Sequence, residues 1–95
     1  ELFLRSELVC YPNPFGHSTT LELRAPGGAG PVDAVFHDAS GRVVARTSFT
    51  LSDTGVGLVP WSGTALDGSR LPVGVYYVTA SGSFGTARDR VTLMK

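Results

Sequence analysis

Cysteine occurs once in this 95-residue chain, at Cys10, and lysine once, at Lys95. A single cysteine excludes an intrachain disulfide and any zinc site built on cysteine pairs. Within Leu8-Val9-Cys10-Tyr11 it reads as a small buried hydrophobe, because a reactive thiol would want a neighbouring histidine or arginine. Long hydrophobic runs are also missing. No stretch approaches the ~20 apolar residues that a membrane-spanning helix needs. Charge of one sign is missing as well: eight basic and eight acidic residues give a formal net charge of zero. They are scattered singly, so the sequence holds no basic stripe of the kind that nucleic acid or an anionic membrane demands. The opening "ELFLRSELV", with acids at Glu1 and Glu7, does not have the form of a signal peptide, and the chain is expected to be a piece of a longer protein.

An apolar fraction of 42% is enough to bury a core, and the length is that of a single domain. Residues 1–7 read as a linker and 8–95 as the domain. Glycine and proline interrupt the chain roughly every 8 to 12 residues, and no 3.6-residue apolar period outlasts one turn between them. Strands are expected over residues 8–11, 18–24, 32–37, 42–50, 58–61, 74–80 and 84–94. Residues 32–50 form a hairpin across the turn Asp38-Ala39-Ser40-Gly41. In "STTLELR", Thr19, Leu21 and Leu23 share one face and Thr20, Glu22 and Arg24 the other, the alternation of a half-buried strand. About seven strands without a helix make an all-β, immunoglobulin-like antiparallel β-sandwich. Trp61 and Tyr76 are its large core residues, with Tyr76 facing inward alongside Val78 and Ala80. "YPNPF", Tyr11 to Phe15, cannot be helical, because two prolines fix φ and remove two donors. It reads as a stiff, extended lead-in to the strand at Ser18.

Chemistry is sparse. His17 and His37 stand in no metal-ligand spacing, and no GxSxG elbow, phosphate loop or dinucleotide fingerprint occurs. The serines stand in no nucleophile–histidine–acid order. The acids are dispersed, and Asp67, in the Gly-rich loop after Trp61, reads as a turn former rather than a calcium ligand. Trp61, Tyr76, Tyr77 and Phe36 could form a sugar-binding strip, but with one Trp, three Tyr and five Phe available the core claims most of them. Neither catalysis nor a cofactor or metal is expected of this chain.

Four pieces carry a resemblance: Tyr11-Pro12-Asn13-Pro14-Phe15 followed by Ser18-Thr19-Thr20-Leu21; Val35 to Val44, with "D-x-x-G-R" at its centre; Trp61 and its Gly-rich loop leading to Leu71-Pro72-Val73-Gly74-Val75-Tyr76-Tyr77; and Arg90 to Lys95. In this order they resemble the C-terminal sorting domain of the type IX secretion system, and the related immunoglobulin-like domain of flagellar hook-capping proteins. The resemblance implies a non-catalytic domain that directs export of its parent across the outer membrane and its attachment to the cell surface. The partners it implies are the outer-membrane translocon and a surface peptidase, with no nucleic acid, small-molecule substrate or membrane insertion. The location it implies is the outer membrane, cell surface or extracellular space. The recognition residues it implies are Pro12, Asn13, Pro14, Gly41, Arg42, Gly74, Tyr76 and Lys95. Read physically, Gly41 and Gly74 relieve turns, Tyr76 fills the core, and only Arg42 and Lys95 are expected to be exposed for a partner. Two departures stand out: Gly16-His17 follows "PNPF" where the family often has Asn-Pro, and Ser62 follows Trp61 where it often has Asp. The alternatives are a structural or adaptor sandwich of the hook-capping kind, or an accessory carbohydrate-binding module of a secreted hydrolase.

Overall fold

Strands account for every regular element that the computed structural model shows; it describes residues 5–95, so the first four residues of the expected linker lie outside it. There are seven: β1 (Glu7–Tyr11), β2 (Thr19–Arg24), β3 (Gly30–His37), β4 (Val43–Leu51), β5 (Val56–Trp61), β6 (Gly74–Gly82) and β7 (Gly85–Leu93). Each follows an expected strand to within a few residues. They form two antiparallel sheets, ordered β1-β2-β5 and β4-β3-β6-β7. The chain crosses between sheets after β2, after β4 and after β5, the connection pattern of an immunoglobulin-like sandwich.

Period-two alternation builds the core. Leu21 and Leu23 of β2 face Val32, Ala34 and Phe36 of β3 and Tyr76, Val78 and Ala80 of β6, all buried. Trp61, at the end of β5, is 6% exposed and lies between the sheets. Its indole stacks on Phe36 with centroids 3.9 Å apart, meets Tyr76 edge-on at 6.3 Å and Phe15 at 5.7 Å. The indole N–H donates to the Thr64 carbonyl at 3.3 Å, so its one polar atom is satisfied. Tyr76, two residues past the start of β6, donates its hydroxyl to the Pro72 carbonyl at 2.5 Å. That is the tyrosine corner of immunoglobulin-like domains, which locks the loop before the strand. Gly57 has a steric reason: a Cβ there would lie 2.8 Å from the Phe49 ring, which β4 lays across β5.

"YPNPF" is not a straight lead-in. β1 precedes it and pairs along its length with β2, from Glu7 opposite Arg24 to Tyr11 opposite Thr20. The segment is therefore the turnaround between two paired strands, with both X-Pro bonds cis. The sequence reading missed this because a two-proline segment, seen locally, says only that a helix is impossible.

Candidate functional site

Seven antiparallel strands bring one end of each to the same end of the sandwich. Tyr11 closes β1, Thr19 opens β2, His37 closes β3, Val43 opens β4, Trp61 closes β5, Gly74 opens β6 and Leu93 closes β7. The register ties these together: Thr19 opposite Trp61, His37 opposite both Val43 and Tyr77, Gly74 opposite Leu93. The eight residues implied by the resemblance, spread from position 12 to 95, are thus gathered at that end.

Two built features occupy it. The first is a clasp made by Asn13 and Phe15 on the edge strand β7. The Asn13 side-chain amide donates to the Arg90 carbonyl at 2.6 Å, and its oxygen accepts from the Thr92 N–H at 3.0 Å. One side chain thereby imitates a strand residue, satisfying a donor and an acceptor that an edge strand leaves open. Phe15 continues the ladder with its backbone: its N–H donates to Thr92 O at 2.9 Å, and its carbonyl accepts from Met94 N at 2.7 Å. Further back, the Cys10 N–H donates to the Asp89 carboxylate at 3.0 Å. Thr19 holds the Pro12 carbonyl at 2.9 Å. Burial first, then the neighbouring Asp89 carboxylate, pushes the Cys10 thiol up to about 12, so it stays protonated and unreactive at neutral pH. Arg70, unremarked in the sequence, braces the clasp by donating to the Ser62 carbonyl at 2.8 Å and to the Gly16 carbonyl.

The second feature is the β3–β4 turn. Asp38 Oδ1 accepts from the Ser40 hydroxyl at 2.6 Å, the Ser40 N–H at 2.9 Å and the Arg42 N–H at 3.0 Å. Gly41 has φ of +91°, the left-handed conformation that the turn requires. The Arg42 guanidinium lies 3.5 Å from Asp38 Oδ2 and is otherwise open to solvent. The Ser40 hydroxyl first, then the Arg42 N–H, holds the Asp38 carboxyl below its ordinary value. A carboxylate with a depressed folded pKa stabilises the fold fully above its ordinary value of 3.8 and loses that contribution as pH falls through the lowered one. We expect the thermal midpoint to hold between about pH 7 and 5 and to fall below about pH 4, with Asp38→Asn flattening part of the fall. An acid limb unchanged in Asp38→Asn would place its source elsewhere.

The residues named from the sequence divide by exposure and by packing. Gly74 stands at the loop-to-strand boundary, opening β6 as a paired residue with φ of +159°. Arg42 and Lys95 are exposed, but so are Pro12, Asn13, Pro14 and Gly41. Asn13 is exposed yet already engaged through both ends of its amide. Tyr76 is core, as read. Of the four aromatics considered as a sugar-binding strip, Phe36, Trp61 and Tyr76 are buried, and Tyr77 stands on the surface at 45% exposure. Asp67 accepts from the N–H and hydroxyl of Ser69 as a turn former. Among the described residues no three His, Cys, Asp or Glu side chains converge. Beside the clasp, Asn13, Pro14, Tyr77, Asp89, Arg90 and Thr92 line an open groove of about 590 Å³.

Comparison with known proteins supports the immunoglobulin-like fold. The family model described as the FlgD Ig-like domain matches residues 13–85. No curated protein matches the chain. Among solved structures, PorZ of Porphyromonas gingivalis, an essential surface component of the type-IX secretion system, is 26% identical over 93% of this chain and 11% of its own, with a TM-score of 0.62. FlgD of Xanthomonas campestris, a protein of flagellar hook capping, is 26% identical over 92% of this chain and 65% of its own, with a TM-score of 0.56. Dimeric latent PorU of Porphyromonas gingivalis shares the fold at a TM-score of 0.74, with 18% identity over 94% of this chain and 9% of its own. The chain thus spans about a tenth of the length of PorU and PorZ.

Proposed function

Since the chain belongs to the FlgD Ig-like domain family, a family of structural modules, we propose that it serves as a non-catalytic sorting domain. In this reading it directs its parent protein through the type IX secretion system to the cell surface. The observation that carries the reading is the likeness to PorZ, a surface component of that system, across 93% of the chain. The clustering of Pro12, Asn13, Pro14, Gly41, Arg42, Gly74, Tyr76 and Lys95 at one end of the sandwich supports it, because a translocon could meet them as one surface. Division of labour follows from the chemistry. Asn13, Gly41 and Tyr76 hold that end in shape, while Arg42 and Lys95 present charge to the translocon and the surface peptidase.

The experiment fuses the chain to the C-terminus of a periplasm-targeted fluorescent reporter in a bacterium that carries the secretion system. The reporter is expected at the cell surface or in the medium. Arg42→Ala with Lys95→Ala, which touches no core residue, is expected to leave most of it in the periplasm. A folded fusion that never leaves the periplasm sinks the reading.

The match to hook-capping FlgD favours a second reading, an adaptor module that packs against neighbours in an assembly. It expects the fused reporter to stay in the periplasm and to co-purify with a defined assembly.

A further inference from the structure

The scattered arginines of the sequence become neighbours once the strands pair. Across β4-β3-β6-β7, one row on the outer face reads Arg46, Val35, Thr79, Arg88. The next places His37 beside Tyr77 and Arg90. Burial alternates to match, with Arg46, Arg88, Arg90 and Tyr77 exposed and their sequence neighbours turned towards the core or the sandwich edge. None of the three guanidinium groups forms a salt bridge or hydrogen bond among the described residues, where the ion pairs are Arg24–Glu22 and Arg42–Asp38. Asp89, between Arg88 and Arg90 in sequence, has its carboxylate bonded to the Cys10 N–H of β1. On the three rows that β3, β6 and β7 share, Asp33 is the one acid facing out, opposite Ser48 and Ser81. A chain of zero net charge therefore carries a basic sheet face.

We propose that this face, centred on Arg46, Arg88, Arg90 and Tyr77, docks an acidic protein surface; the proposal rests on the sorting reading, in which a protein machine handles the domain. Charge complementarity selects an acidic partner. Composition selects a protein: arginine and tyrosine are the residues protein interfaces favour, and a single exposed aromatic offers no platform for successive sugars or bases. The size suits a passing contact. Four strands about 4.8 Å apart and about nine residues long span roughly 19 by 28 Å, the scale of a transient interface rather than an obligate one. Because β7 is already clasped by Asn13 and Phe15, a partner engages side chains on the face rather than adding a strand there.

The test uses the 95-residue chain and immobilised poly-L-glutamate at low salt. Arg46→Glu and Arg88→Glu are each expected to weaken binding by about five-fold or more. Arg88→Lys retains most of it. Arg24→Glu, which changes net charge equally on the opposite sheet, leaves it unchanged, and thermal melts verify that each variant folds. Equal weakening by Arg24→Glu overturns the proposal, since only net charge would then count. Binding to heparin or to phosphatidylglycerol vesicles without binding to poly-L-glutamate overturns it in favour of a glycan or a membrane, and no binding to any probe overturns it outright. The two readings fail separately. A reporter exported without the domain sinks the sorting role and leaves this contrast standing, whereas domain-dependent export with no contrast sinks only the basic face.

Discussion

Trp61→Ala is expected to cost about 3–5 kcal/mol, the largest loss from any single truncation in the domain. A domain of this size has roughly 5–14 kcal/mol of stability in all. Among the described residues, the indole is the one side chain in ring contact with three separate elements: Phe36 on β3, Tyr76 on β6 and Phe15 of the clasp. Alanine leaves a cavity that β5 cannot fill by shifting, because its register against β2 is fixed from Thr19–Trp61 to Arg24–Val56. The thermal midpoint is expected to fall by more than about 12 °C, with Trp61→Phe recovering a good part of it. A fall of only a few degrees would show that the two sheets do not depend on this contact.

Phe15→Ala is expected to follow closely, at about 3–4 kcal/mol. Phe15 is 1% exposed, among the most buried large side chains here, although it sits in a loop. Its backbone bonds to Thr92 and Met94 survive the substitution, so the loss reports the ring. Denaturant unfolding should show the loss with Phe15→Leu nearly restored. If alanine and leucine behave alike, the backbone bonds hold the clasp and the ring contributes little.

The contrast between these residues shows what was legible beforehand. Strand alternation is a local signal, so β2, β3 and β6 were readable, as was Tyr76 facing the same way as Val78 and Ala80. Trp61 is large and apolar enough to be assigned to the core anywhere in a sandwich. Phe15 was passed over because it follows two prolines, and prolines describe the backbone rather than the direction of the next side chain. The work of Asn13 was hidden for another reason: its partners stand at Arg90 and Thr92, and no local pattern records a hydrogen bond across that separation. The basic face shows the same limit. Arg46, Arg88 and Arg90 are single charges in sequence and become a group only through the pairings of Val35, Thr79 and Tyr77. The motifs of the resemblance carry a different signal from periodicity, since they mark the turns and the clasp rather than the strands.

The clasp has a consequence for timing. Asn13 and Thr92 are 79 positions apart, as are Cys10 and Asp89, so the contacts that seal β7 join almost the two extremes of the described chain. Ladders such as β6–β7 can zip from a local turn, but this seam must wait until both distant segments are present and free. A chain still emerging from a ribosome, or one clipped before residue 90, keeps an open strand edge and an unsealed core. Completion of the domain is thus written into the bonding of a single asparagine, which makes the sealed end a report that the segments around residues 13 and 92 have both arrived.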